Sequence, residues 1–168
     1  MGLKTTHDLN LPDCEETLAF RALETVLKND GLFSRTINKF SAWRGEDLDA
    51  MELSFSMCPY LAIGPAAQES DWVTESQHSM PMYVRFLIAV KGTKYDNLAN
   101  FWGIIRSAIF PFDNADAEAV RAILRGAGAN LTTKPTWTMN ANTPIAGTPE
   151  QPFIIGTGSL RLGLLIKT

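Results

Sequence analysis

The chain has 168 residues, of which 45% are hydrophobic and 20% charged, and its formal net charge is −3. This length and ordinary composition predict one globular domain with a single core, and they exclude a disordered protein. The longest apolar runs are far shorter than the roughly 20 residues of a membrane span, so no membrane association is expected. The 15 Lys and Arg residues are spread thinly along the chain, which argues against tight binding of nucleic acid.

The chain begins with a segment that has no regular apolar pattern, followed by a well-marked helix. Residues 1–13 are expected to be a flexible N-terminus without the apolar core of a signal peptide. Asp13, with Glu16 three residues later, fits a capping box. A helix is predicted from about Cys14 to Asn29, where Asn, Asp and Gly supply the stop.

The next region is ambiguous and then turns strand-like. Phe33, Ile37 and Phe40 fit one helical face, but residues 36–43 fit an extended edge strand equally well. The short apolar run "YLAIG", residues 60–64, lies between two prolines and predicts a buried strand. With no export signal in the sequence, the two cysteines at 14 and 58 are expected to be reduced and buried.

Residues 81–109, "PMYVRFLIAVKGTKYDNLANFWGIIRSAI", predict a long strand, a tight turn at Gly92 and an amphipathic helix from about Lys94 to Pro111. One strand face is uniformly apolar, whereas the other is mixed and is expected to be partly covered. The apolar strand face comprises Met82, Val84, Phe86, Ile88 and Val90, and the helical stripe comprises Tyr95, Leu98, Phe101, Trp102, Ile105 and Ile109.

The C-terminal part predicts one more helix and then extended chain. Asp113 or Asn114 can cap a helix that ends near Gly126 and Gly128. The segment that follows is rich in Thr, Asn and Pro, and "GTGSLRLG" is interpreted as a hairpin turn. A terminal strand is predicted from the alternation of Leu160, Leu162, Leu164 and Ile166.

Two segments, Pro65–Ser79 and Thr132–Pro152, are predicted to be long polar loops. Trp43, Trp72 and Trp137 fall in predicted loops or edge segments. Aromatic anchors are common at protein interfaces, so these three residues are candidates for an inter-subunit or partner interface. Core packing at the roots of the loops is an equally good explanation.

Together the elements predict an α+β fold, with a largely antiparallel sheet of about four or five strands and helices packed on one face. Residues 14–168 are expected to form this single domain.

Motifs that carry chemistry are lacking in the sequence. It has no nucleophile elbow, phosphate-binding loop or H-E-x-x-H motif, and His7 and His78 have no metal-ligand partners at suitable spacing. We therefore predict no catalytic residue, no cofactor and no metal site, and interpret the chain as a non-enzyme.

The order of elements resembles a known family. An amphipathic helix leads to "CPYLAIGP", a polar loop, "MYVRFLIAVKG" and the striped helix "NLANFWGIIRSAIF"; a second helix, a Thr-rich segment and "LRLGLLIKT" follow. This series, from about Cys14 to Lys167, is similar to the tail-terminator (minor tail) proteins of long-tailed bacteriophages. The resemblance rests on the pattern of elements rather than on a signature motif.

The resemblance implies a structural virion protein that forms a hexameric ring in the phage neck or tail. Such a ring caps the tail tube, ends its polymerisation and joins it to head-completion proteins, while double-stranded DNA passes through the lumen without specific binding. The expected location is the virion, and the host cytoplasm before assembly. Two alternatives stay open: another neck component, such as a head-closure or tail-completion protein, and a small α+β ligand-binding protein or enzyme.

Overall fold

The computed structural model describes residues 14–42, 53–65, 78–131, 136–138 and 145–166. These residues form an α+β fold in which helices pack against a mixed sheet, as the sequence predicts. Within them, four α-helices cover one face of a seven-stranded sheet. The helices are α1 (Glu15–Asn29), α2 (Gly31–Thr36), α3 (Tyr95–Ile109) and α4 (Asn114–Gly126), and a 3-10 helix spans Phe55–Met57.

The sheet is largely antiparallel and has one parallel pair at its edge. Its strands are β1 (Lys39–Ala42), β2 (Tyr60–Pro65), β3 (His78–Lys91), β4 (Ala129–Leu131), β5 (Thr136–Thr138), β6 (Ile145–Gly147) and β7 (Pro152–Ile166). The order is β1-β2-β3-β7-β4, and β5 and β6 also pair with β7. The β1–β2 pair is parallel, and the other pairs are antiparallel.

The two longest strands, β3 and β7, pair along their whole lengths. Their register runs from His78 opposite Ile166 to Lys91 opposite Phe153. Fourteen residues of strand extend for about 45 Å, so this ribbon spans the whole domain. The other edge of β7 is occupied in turn by β6, β5 and β4, while β2 covers the C-terminal half of β3.

The main core lies between the ribbon and the helices. The predicted apolar face of β3 is fully buried there, together with the apolar stripe of α3. Phe86 contacts Trp102 edge to face, with ring centroids 5.6 Å apart. This packing confirms the predicted seating of the β3 face beneath α3. Tyr95, which was expected in the same stripe, is 53% exposed.

Aspartate side chains begin two of the helices. Asp30 accepts a hydrogen bond from the Phe33 amide at 2.7 Å and so starts α2 directly after α1. Asp113 accepts from the amides of Ala115 and Asp116, which settles the choice of cap for α4. Such caps satisfy amide groups that have no partner within the helix.

The start of α1 agrees only in part with the predicted capping box. The helix begins at Glu15, and its N-cap is Cys14, whose side chain makes no capping hydrogen bond. Asp13 and the rest of residues 1–13 lie outside the described residues. The ambiguous segment that follows α1 contains both predicted elements, since α2 is a short helix and β1 is an edge strand.

Two sequence predictions are wrong in the C-terminal part, and the bounds of a third differ. The segment "GTGSLRLG" is no hairpin turn but lies inside β7. The predicted loop from Thr132 to Pro152 contains β5 and β6, which pair with β7. The predicted loop from Pro65 to Ser79 begins within β2 and ends within β3, and its residues 66–77 lie outside the described residues.

The glycines explain why the turn prediction failed. Gly156 lies opposite Ile88, and Gly158 lies opposite Phe86, on the side of the sheet that faces the helices. Glycine weakens an isolated strand, but a large side chain on the neighbouring strand can cover the exposed backbone. The long pairing with β3 therefore holds this stretch extended despite its turn-like composition.

Replacing Phe86 should destabilise the domain strongly. Phe86 is 1% exposed and packs on Trp102, so Phe86→Ala is expected to lower the free energy of unfolding by about 3–5 kcal/mol. The matched control is Tyr95→Ala on the exposed first turn of α3, where a change within about 0.5 kcal/mol is expected. Urea denaturation followed by circular dichroism measures both. Equal midpoints for Phe86→Ala and the unsubstituted protein would contradict the assigned core.

Candidate interaction surfaces

The sheet face turned away from the helices, called the outer face below, is covered at one end only. Alternate residues of each strand project from it, because successive residues of a strand point to opposite sides. At the C-terminal end of β3, a second small core covers this face. Its buried members are Cys58, Tyr60, Ala62, Leu87, Ala89 and Phe153, with Leu53, Phe55 and Met57 packed against them.

The charged residues that the strands contribute to the outer face are all basic. The seven described strands contain no Asp or Glu, and each of their Lys and Arg residues lies in an outer-face row and is exposed. These residues are Lys39, Arg85, Lys91 and Arg161.

Strand pairing brings the two arginines close together. Arg85 pairs in register with Ser159, and Arg161 is two residues further along the same strand. Diagonal neighbours of this kind lie about 7–8 Å apart. The Cζ atom of Arg161 is 5.9 Å from the centre of the Tyr83 ring, its cross-strand neighbour. Hydroxyl side chains of Ser159 and Thr157 complete a polar, cationic strip along the ribbon.

This strip is the feature that sequence analysis missed. The four basic residues are far apart in the chain, and the thin spread of Lys and Arg was interpreted as the absence of a basic surface. The positions of Arg85 and Arg161 on one face follow only from the register of β3 with β7. The sequence did contain one usable signal, namely that the predicted strands lack acidic residues.

Of the three tryptophans predicted as interface anchors, Trp137 alone lies among the described residues. Trp43 and Trp72 lie outside the described residues. Trp137 belongs to β5, where its Cα pairs with Gly158, in the row of the sheet that also contains Phe86. Their part in an interface stays a prediction.

The two cysteines have different surroundings, which corrects the expectation that both are buried. Cys14 is exposed at the start of α1. Cys58 is 1% exposed within the small outer core, and this burial raises the pKa of its thiol, with Lys91 acting weakly in the opposite direction. Among the residues that the structure describes, no three His, Cys, Asp or Glu side chains are grouped closely enough to hold a metal ion.

A charged cluster lies on the exposed side of α4. Glu118 bonds to Arg125 and, at 3.4 Å, to Arg121. The hydrogen bond from Arg125 and its charge, helped by Arg121, lower the pKa of the Glu118 carboxyl. The cluster borders a shallow groove of about 270 Å³ between α4 and β4. Because these groups are solvent-exposed and paired with one another, they are best explained as surface ion pairs of the helix.

None of the described helices has the length and apolar character needed to cross a lipid bilayer. No protein-family model matches the chain, and no curated protein is measurably similar to it in sequence. The fold and the surfaces described above are therefore the basis for a functional interpretation.

Thiol labelling should separate the two cysteines. A buried thiol with a raised pKa forms little thiolate, which is the reactive species. With 5,5′-dithiobis(2-nitrobenzoate) at neutral pH, one equivalent should react rapidly and a second much more slowly. Cys14→Ser should remove the fast phase and leave the slow one. A fast phase that survives Cys14→Ser would contradict the burial of Cys58.

Proposed function

We propose that this protein is a structural component of a phage neck or tail that forms a ring capping the tail tube. The ring ends polymerisation of the tube and joins it to head-completion proteins, with double-stranded DNA passing through the lumen. The protein would reside in the virion, and in the host cytoplasm before assembly. This proposal starts from the resemblance of the element order to tail-terminator proteins, and no catalytic role is assigned to any residue.

The outer face of the sheet is the observation that carries the proposal. The helices cover one side of the β3–β7 ribbon, and on the other side the exposed charged residues of the strands are basic. A subunit with this division can turn its cationic side toward DNA and its helical side outward. In a closed ring of identical subunits, every copy presents the same side to the lumen.

The composition of the outer face suits passage of DNA better than tight binding. Four Lys and Arg residues are distributed over several strands, with Ser and Thr side chains between them. Each phosphate contact contributes a salt-dependent, sequence-independent attraction. A few such contacts per subunit keep DNA centred in the lumen, whereas a dense array would retain the genome.

The order of elements does not separate a tail terminator from other neck components, so a head-closure or tail-completion protein is the nearest alternative. The position in the neck is decided by the partner that the ring binds. A ligand-binding protein or enzyme would require a pocket with converging polar groups. Two grooves in the described part of the chain are shallow and open, and one of them is bordered by charges that are paired with one another.

Mass measurement and electron microscopy test the ring. Six copies of an 18.5 kDa chain give a particle of about 111 kDa. Native mass spectrometry of the purified protein, alone and with added phage tail tubes, should detect this species, and negative-stain images should show it at tube ends. Tube protein assembled with the chain present should form shorter tubes than without it. Monomers that leave tube length and tube ends unchanged would contradict the proposal.

DNA binding tests the orientation of the subunit. Arg85→Gln with Arg161→Gln removes two outer-face charges, and Lys94→Gln with Arg106→Gln removes two exposed charges from the helical side as a matched control. Fluorescence anisotropy with duplex DNA should give weak binding that is independent of sequence. A plot of log K against the logarithm of the salt concentration should become shallower. Its slope should change by about one for each phosphate that the outer-face variant no longer neutralises. Equal slopes for both variants would show that the outer face does not meet DNA.

A further inference from the structure

Arg85 and Arg161 lie beside each other on the outer face, near the middle of the β3–β7 ribbon. Arg85 pairs in register with Ser159, and Arg161 pairs with Tyr83. The two arginines are therefore diagonal neighbours, and the Cα atoms of such neighbours lie about 7–8 Å apart. Both side chains are exposed, so a ligand in solution can reach both guanidinium groups from the same side of the sheet.

This separation fits one phosphate group held between the two guanidinium groups. A hydrogen bond from a guanidinium nitrogen to a phosphate oxygen is about 2.7–2.9 Å long. Two such bonds on opposite sides of a tetrahedral phosphate place the two donor nitrogens roughly 8 Å apart. Arginines whose Cα atoms are about 7–8 Å apart reach this geometry with parallel side chains. The planar fork of each guanidinium can also bind two phosphate oxygens at once, which the ammonium group of Lys does not do.

Two neighbouring side chains add to the arginine pair. The Cζ atom of Arg161 is 5.9 Å from the centre of the Tyr83 ring, so the ring supports this guanidinium by a cation–π contact. Tyr83 is two residues from Arg85 on the same strand, and the contact therefore keeps Arg161 close to Arg85. Ser159 lies opposite Arg85 and two residues before Arg161, where a hydroxyl can donate to the same phosphate.

The two lysines of the outer face are too distant to join this contact. Lys91 is six residues from Arg85 along β3, which corresponds to about 20 Å. Lys39 lies on β1 opposite Tyr60, which in turn lies opposite Ala89 near the same end of the ribbon. The outer face thus has two separate basic positions, an arginine pair near the middle and two lysines toward one end. An extended polyanion can meet both positions, whereas a single phosphate group can meet only one.

We propose that Arg85 and Arg161 share a single backbone phosphate of DNA, an arrangement called the arginine clamp, and that Tyr83 is its positioning residue. The clamp rests on the proposed function, because DNA that passes the outer face supplies the phosphate. A phosphorylated protein offers the same chemical group, but the two lysines farther along the face favour a ligand with many phosphates. One shared phosphate per subunit is a weak attachment, which is compatible with movement of DNA through a ring.

A thymidine dinucleotide with one internal phosphodiester and no terminal phosphate tests the clamp without a ring or a tail tube. In an NMR titration, the side-chain Nε–H signals of Arg85 and Arg161 should shift along one binding curve with one Kd. Thymidine, which lacks the phosphate, should shift neither signal. Arg85→Gln and Arg161→Gln should each raise the dinucleotide Kd by about tenfold, because a charge-assisted contact is lost.

Tyr83 is tested by a conservative and a non-conservative substitution. Tyr83→Leu should raise the dinucleotide Kd by about two- to fivefold, because Arg161 loses its cation–π contact. Tyr83→Phe keeps the ring and should bind like the unsubstituted protein. The matched control is Arg106→Gln, which removes an exposed guanidinium from the helical side and should leave the Kd unchanged. Circular dichroism should show unchanged folding for all of these variants.

Duplex DNA distinguishes one shared phosphate from two separate phosphates. The slope of log K against the logarithm of the salt concentration changes by about one for each phosphate that is no longer neutralised. With a shared phosphate, each single variant should change the slope little, because the remaining guanidinium still neutralises the phosphate. The double variant Arg85→Gln/Arg161→Gln should then change the slope by more than the sum of the single variants. This comparison holds for any number of subunits in contact with the DNA.

The outcomes separate the clamp from the ring. Arginine signals that ignore the dinucleotide, or that shift with different Kd values, would overturn the clamp, and rings observed in the same protein would leave the proposed function standing. Shared shifts in a protein that forms no ring would support the clamp and contradict the ring. A double variant whose slope change equals the sum of the single changes would show two separate phosphates. A phosphoserine peptide that binds as tightly as duplex DNA would overturn DNA as the source of the phosphate.

Discussion

The pairing of β3 with β7 is the interaction on which the rest of the structure depends. Its fourteen register pairs join the middle of the chain to the last described strand. The same register places five apolar residues of β3 on the side that α3 covers, and it places Arg85 and Arg161 on the other side. A slip by one residue would exchange the two faces of a strand. Core, helix packing and surface charge are thus consequences of one alignment.

The helices cover a single side of this ribbon, and the two sides of the molecule differ as a result. On the helical side, acidic and basic residues alternate and form local pairs, such as Lys28 with Glu24. On the outer face the small core around Cys58 and Tyr60 shields one end, and Tyr83, Arg85, Ser159 and Arg161 lie beyond it. The charged residues on the two sides therefore differ, because those of the strands are all basic and those of the helices include both signs.

Sequence analysis correctly predicted the helices and strands whose apolar periodicity continues without interruption through the whole element. The alternation in β3 and the stripe of α3 each span several repeats, and both elements appear where they were expected. The first half of β7 was missed because Gly156 and Gly158 interrupt its apolar alternation. These glycines are stable in a strand only through Phe86 and Ile88 on its neighbour, and a neighbour cannot be identified from local pattern.

The candidate surfaces were harder to predict than the fold for a related reason. The proximity of Arg85 to Arg161 results from strand register, and the groove at Pro111 is lined by residues from four helices. Sequence analysis singled out three tryptophans as interface anchors or as core packing at the roots of the loops. It gave no indication that Phe112 is 92% exposed. Exposure depends on where a chain turns relative to its neighbours, and a residue between Pro111 and Asp113 has no periodic context that would reveal it.

The arrangement of β7 also has a consequence for the timing of folding during synthesis. This strand pairs with β3, β4, β5 and β6, yet it follows all of them in the chain. At ribosomal rates of about 5–20 residues per second, the 60 residues between the end of β3 and the start of β7 take roughly 3–12 seconds to be added. Throughout that interval the long edge of β3 has no β7 to pair with, and the apolar faces of α1 and α3 lack part of their sheet. We therefore expect chaperones that bind exposed apolar segments to bind the nascent chain until β7 has been synthesised and has paired with β3.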